Sequence, residues 1–309
     1  MAATGRPRRD NLTLVRAAAE LWDDDDQSVG YLTRLMTQCS LPYKDPGDVP
    51  SWGRRNGALS LTVQPGVVTE HDGSQRSIGY PFGVIPRMLI TWLSTEAVRT
   101  RSRDLVLGTS MSDFMRQIGL APVGGKGGTI DRLHKQSERL FQASLSVRWE
   151  GRGGEVVGGR MGVASTYRLW GSTHPDTPAL FPSVVRLSAD FFEEVIAHPV
   201  PIDLDALRLL RGSPLRIDIY CWLTYRMASL RRRTEIPWAS LRAQFGSSNA
   251  DTQNGRAQFK RDFEKHLAQV LLVYRDARVE PMRGGIVLYP SRTHVPLKGF
   301  TAARRAIES

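Results

Sequence analysis

The sequence predicts an α+β protein built from one unit used twice, and three observations carry that expectation. Two blocks repeat at a common spacing, they sit in the same succession of helical and extended patterns, and each copy holds an amphipathic helix with a basic outward side. Segment 111–119 (MSDFMRQIG) lays over 238–246 (WASLRAQFG), and 139–147 (RLFQASLSV) over 266–274 (HLAQVLLVY), both at an offset of 127 residues (238 − 111 and 266 − 139). The pair Trp92-Leu93 faces Trp222-Leu223 at an offset of 130 (222 − 92). Identities are few, but blocks in one order at nearly one spacing indicate internal duplication.

The first 27 residues read as an N-terminal tail with a docking helix, since Leu12, Val15, Ala19 and Trp22 share one helical face after a basic start (Arg6, Arg8, Arg9). The run Asp23 to Asp26 points its four carboxylates in different directions on either helix or strand, which favours a solvated charge run over a metal site. From Tyr31 the chain becomes globular, with Pro/Gly-rich turns from Pro42 to Gly53 and strand-like alternation at Leu59, Leu61 and Val63.

Each copy then opens with a long apolar helix (Pro86 to Arg99; Pro214 to Leu230) followed by an extended stretch (Leu105 to Leu107; Thr234 to Ile236). A short helix closes at Gly119 or Gly246, glycine being preferred in the left-handed position after a helix. A polar turn leads to the amphipathic helices Thr129 to Phe141 and Gln258 to Val270. Two β-runs end each copy: Leu145 to Trp149 with Tyr167 to Trp170, and Leu271 to Tyr274 with Ile286 to Tyr289. Helix, strand, helix, turn, helix, hairpin is the order of a winged helix, whose second motif helix enters a major groove. The predicted architecture is tandem winged-helix domains related by internal duplication: 28–172, a linker 173–185, 186–298, and a C-terminal tail 299–309.

Charge indicates the partner. Forty-two Lys and Arg against thirty-one Asp and Glu leave +11 and a pI near 10.1, which suits a polyanion. In the first copy Ile130, Leu133, Ser137, Leu140 and Phe141 form the stripe expected to be buried, and Arg132, Lys135, Gln136 and Arg139 the side expected to face outward. The preceding turn, Gly124 to Gly128 around Lys126, offers backbone N–H groups to a phosphate at the start of a helix opening on Thr129. In the second copy Phe259, Phe263, Leu267 and Val270 are expected inside, with Gln258, Arg261 and Lys265 outside and Arg256 and Lys260 at the margins. Arginine pairs bidentately with guanine and glutamine with adenine, whereas lysine more often neutralises phosphate. Further clusters at Arg99, Arg101 and Arg103, at Arg208, Arg211 and Arg216, and at Arg231 to Arg233 read equally well as surface ion pairs.

Enzymatic readings lack their parts. A P-loop needs glycine, four residues, then Gly-Lys-Ser/Thr; Leu120 stands where the first glycine belongs and Gly127 follows Lys126. The six histidines are scattered, with no His-Glu-x-x-His helix, so neither a metal nor another cofactor is expected. Cys39 and Cys221 read as buried hydrophobes in a reducing, cytoplasmic compartment. No apolar run is long enough for a membrane span, so no membrane partner is expected.

Several stretches resemble one family: 28–36 (SVGYLTRLM), 41–46 (LPYKDP), 54–62 (RRNGALSLT), 81–100 (PFGVIPRMLITWLSTEAVRT), 105–108 (LVLG), 114–120 (FMRQIGL) and 124–130 (GGKGGTI). More loosely, 187–192 (LSADFF) and 201–207 (PIDLDAL) continue the likeness. These look like plasmid-encoded RepA-type replication initiators, over roughly residues 28 to 298. The resemblance implies a non-enzymatic protein that binds repeated double-stranded sequences at a bacterial plasmid origin, promotes local melting, and recruits a host helicase or other replication proteins. A winged-helix transcriptional regulator that binds an operator without opening DNA is the alternative. The first copy or the Leu12 to Trp22 helix could supply a homodimer face, so monomer and homodimer both stay open.

Overall fold

The structure, a computed structural model, describes residues 9–23, 28–170, 181–246 and 252–296. Helices and antiparallel strands are mixed along it, the α+β class that the sequence predicts. Packing divides the chain into two compact units. The larger comprises Tyr31–Val200 with Arg242–Ser248; the smaller comprises Met1–Gly30, Pro201–Leu241 and Asn249–Ser309. Asp24 to Asp26, residues 173–180 of the expected linker and the tail 299–309 lie outside the described residues, whereas Ser183 to Val185 begin a strand.

The larger unit is built on the helix Val84–Thr100, where Leu89, Ile90, Leu93 and Ala97 are fully buried. It packs against the helices Thr129–Gln142 and Ala189–Ala197. Trp92 lies edge-on to Phe114 with ring centroids 5.0 Å apart, a core role. After it come the strand Asp104–Gly108 and the helix Met111–Gln117, whose N-cap Ser110 accepts from the Asp113 N–H. Gly119 closes that helix at φ 77°, as expected. Gly246 differs: its φ is not positive, and what it supplies is room, since a Cβ there would stand 2.6 Å from Arg242 Cγ.

The strand Asp104–Gly108 pairs with Ser183–Leu187, which pairs in turn with Ala164–Arg168. In this three-stranded antiparallel sheet the last strand in sequence lies in the middle. The expected pairing of Leu145 to Trp149 with Tyr167 to Trp170 is therefore wrong. Ser144–Glu150 pairs instead with Val156–Gly162 and with Leu59–Gln64, and Trp52–Asn56 completes a separate four-stranded sheet. The turn dictates this. Gly151 N–H donates to Glu155 O (2.8 Å) and Gly154 N–H to Gly151 O (3.1 Å), so the chain returns at once through 156–162. That return strand (VVGGRMG) has no apolar alternation, and its signal was correspondingly weak.

In the smaller unit the helix Pro214–Ser229 leads to the strand Thr234–Pro237, the first four residues of the short helix Trp238–Phe245, the helix Gln253–Val273, and the strands Val279–Met282 and Gly285–Leu288. The last strand is again central, pairing with both others. The long helix exceeds the expected 258–270 at both ends and takes in residues 271–273, which had been read as strand; the Thr252 side chain caps its start. Phe259, Phe263, Leu267 and Val270 are buried as expected, with Trp238 edge-on to Phe259 and Phe263.

The helix Arg9–Asp23 packs on Gln253–Val273 and on the helix Leu204–Leu210, but not on the expected face. Leu14 and Ala18 are its buried residues, while Leu12, Val15 and Ala19 are exposed. Trp22 still engages, its indole N–H donating to Val273 O (3.3 Å). Two stripes on this alanine-rich helix could have faced inward, and the one carrying Ala18 allows closer approach of the backbones.

Both cysteines are buried as expected, and burial pushes the Cys39 thiol up to about 12 against an opposing pull from Arg54. A buried polar cluster holds the smaller unit together near Asp203. Its N–H donates to the Tyr220 hydroxyl (3.0 Å), which is also hydrogen-bonded to His294 Nδ1 (2.8 Å). Burial pushes His294 below its ordinary value, outweighing the carboxylates of Asp203 and Asp276, and burial does the same to His266. A histidine depressed in the folded state binds its proton more readily when unfolded, so stability is full above about pH 6.5 and falls as the pH drops through that value toward the folded pKa. Thermal unfolding should therefore occur at lower temperature at about pH 5.5 than at about pH 7.5. His294→Gln should narrow that difference, and an unchanged difference would show that this imidazole is not its source.

Candidate nucleic-acid interface

Asp131, in the first turn of the helix Thr129–Gln142, organises the glycine turn before it. Its Oδ2 accepts from Gly127 N–H (3.2 Å) and from Lys135 Nζ (3.0 Å). The Lys135 hydrogen bond is the larger reason that its carboxyl titrates below the ordinary range. Gly125 and Gly127 have φ of 85° and 77°, and a Cβ on Gly128 would collide with the carbonyls of Val123 and Gly124. Gly128 N–H donates to Gly125 O (3.0 Å) and Ile130 N–H to Val123 O (3.3 Å). Several N–H groups expected to await a phosphate are thus engaged within the turn. Sequence reading missed Asp131, although an aspartate at the third helical position, four residues before a lysine, is a recognisable signal.

The residues expected to face outward on this helix separate into two groups. Arg132, Lys135 and Lys126 are exposed, and Lys126 and Arg132 have no side-chain partner among the described residues. The others are turned to the protein itself. Gln136 is buried, and its Oε1 accepts from Phe82 N–H (2.8 Å). Arg139 donates from Nε to Ile78 O (2.8 Å) and from Nη1 to Tyr80 O (3.4 Å), pairs with Asp45 (3.3 Å), and lies over the Phe82 ring. Gly79, at φ 87°, makes room for it, since a Cβ there would stand 2.8 Å from the guanidinium carbon. Thr129 Oγ1 donates to Ala121 O (2.6 Å) and accepts from Val123 N–H (2.8 Å).

On Gln253–Val273 the outward side carries Arg256, Gln258, Arg261 and Lys265, all exposed. Arg261 donates to Gln258 Oε1 (2.6 Å), and Gln258 Nε2 donates to Asp262 (2.9 Å), forming a short surface chain that holds Arg261 and Gln258 side by side. Lys260 is half-buried, 3.7 Å from Glu264 and over the Trp238 ring. Elsewhere Arg99, Arg208 and Arg233 pair with Glu96, Asp205 and Glu235, the ion-pair role. Among the described residues no group of three or more His, Cys, Asp or Glu could hold a metal ion, and no helix is long and apolar enough to cross a membrane.

Residues 80–239, more than half of the 309, match the family model described as Plasmid encoded RepA protein. The matched stretch contains Thr129–Gln142 and ends ahead of Gln253–Val273. No curated protein matches the chain.

The division of the first helix is testable by denaturation. Gln136→Ala leaves the Phe82 N–H without its acceptor and should destabilise by about 1–3 kcal/mol. Arg132→Ala touches nothing internal and should stay within about 0.5 kcal/mol of the unaltered protein in urea unfolding. Equal losses for the two would contradict the placement of Gln136.

Proposed function

The chain belongs to the plasmid-encoded RepA protein family, and from that premise we propose that it initiates replication by reading repeated duplex sequences with two winged helices. The general role of a plasmid replication initiator, DNA-binding and non-catalytic, comes with the family. The observation that carries the finer reading is the repeated order of elements. Each unit contains the succession helix, strand, helix, helix followed later in the chain by two more strands that join the first in a three-stranded sheet with the last strand central. In that arrangement the helices Thr129–Gln142 and Gln253–Val273 occupy the recognition position.

Arg132 in one unit, and Arg261 with Gln258 in the other, are the side chains we assign to base edges. Lys126, Lys135, Arg256, Lys260 and Lys265 neutralise phosphates. Thr129, Gln136 and Arg139 support the reading helix from behind: Thr129 ties the glycine turn to the helix, and the other two set the helix against the 78–82 segment. Binding at the origin then promotes melting and brings in a host helicase or other replication proteins, in a form that is monomeric or homodimeric.

With about six to ten phosphates neutralised, affinity for an origin duplex should fall by about three to five decades between about 50 and 200 mM salt. Arg132→Ala or Arg261→Ala should lose about 1–3 kcal/mol and relax sequence preference, whereas Lys126→Ala should weaken all duplexes alike. Footprinting on the parental origin checks the assignment, and protection unaltered in both arginine variants would sink it. Permanganate probing of a supercoiled origin plasmid checks melting. Unpaired thymines are expected when the protein is added; their absence would leave an operator-binding regulator.

A further inference from the structure

The four-stranded sheet adds strands that have no counterpart in the smaller unit, and one of its faces is lined by arginines, hydroxyls and glycines. In-register neighbours across the four strands form two rows: Arg55, Ser60, Arg148, Gly158, and Gly53, Thr62, Ser146, Arg160. Because side chains alternate along a strand, both rows share one face, while Leu61, Val63 and Leu145 line the opposite, buried face. Arg55, Arg148 and Arg160 are exposed. Between them stand only hydroxyls and glycines, so a ligand can approach the backbone closely.

We propose that this face is a second DNA-binding surface, one that grips the phosphodiester backbone of a duplex without reading its sequence. The inference rests on the initiator reading and extends it to residues that neither helix contains. Charge favours the occupant: three arginines stand against a single carboxylate, Glu150, which Arg55 and Arg148 share at 2.6 Å and 2.9 Å. Arg160 has no ion-pair partner among the described residues. The two rows carry no aromatic side chain, so they offer no stacking platform for the bases of a single strand. Serine and threonine hydroxyls, glycine backbone and arginine are groups that contact phosphate and sugar. Glu150 stands where an incoming phosphate would, holding two arginines ready at the expense of one negative charge.

The test uses the full chain and two duplexes of about 30 base pairs, one with the origin repeat and one without, with affinity measured across a salt series. Arg148→Gln combined with Arg160→Gln should reduce the salt slope by about 2 on both duplexes and weaken binding about tenfold or more at about 150 mM salt. Glu150→Gln should act oppositely and tighten binding to both. A folded double variant with slope and affinity unchanged on both duplexes overturns the surface. If the double variant does not fold, Glu150→Gln decides, and unchanged affinity overturns the proposal. Unaltered protein that binds neither duplex overturns the initiator reading along with the surface, whereas normal origin binding with unaffected variants overturns the surface alone.

Discussion

The larger unit depends on irregular backbone being satisfied by buried or half-buried polar side chains. Segment 78–83 forms no sheet, yet it is half-buried or buried throughout, so its N–H and C=O groups need partners within the protein. Gln136 and Arg139, one turn apart on Thr129–Gln142, answer Phe82 N–H and the carbonyls of Ile78 and Tyr80. From the other side Arg87, itself buried, donates to the carbonyls of Leu41, Pro42 and Gly83. The same contacts fix the rotation of Thr129–Gln142 about its axis, and with it the direction in which Arg132 and Lys135 project.

The apolar stripes were legible because burial follows helical spacing: Leu133, Leu140, Phe259 and Phe263 lie inside where periodicity puts them. Gln136 and Arg139 were not, because a polar side chain on a helix says nothing of whether its partner is solvent or a distant carbonyl. Strand pairing failed for a related reason. Leu145 to Trp149 was recognisable as a strand, but its neighbour depended on a tight glycine turn and on Leu59–Gln64, more than eighty residues earlier in the chain. Strand matching between the two units failed because in the larger one the paired strands Ser144–Glu150 and Val156–Gly162 lie between the helix Thr129–Gln142 and the strands Ala164–Arg168 and Ser183–Leu187.

Charge shows a parallel division. Many basic residues are paired locally, as Arg116 is with Asp113 and Arg76 with Glu70, where solvent screening leaves little net energy. What distinguishes the outward side of Gln253–Val273 is arrangement. Arg261 is held beside Gln258 by a hydrogen bond, and Gln258 in turn by one to Asp262, so these groups are already ordered in the absence of a partner. Ordering them beforehand lessens the entropy lost when they meet one.

The central position of each last strand bears on the order in which the chain can fold during synthesis. Asp104–Gly108 cannot join its sheet until Ser183–Leu187 has emerged, and Thr234–Pro237 waits in the same way for Gly285–Leu288. The helix Arg9–Asp23 packs on Gln253–Val273, which follows it by 230 residues (253 − 23). Pairing over such separations is slow because chain entropy is lost before any contact repays it. The larger unit's three-stranded sheet can therefore form once Ser183–Leu187 has emerged, whereas the smaller unit's waits for Gly285–Leu288, about a hundred residues later.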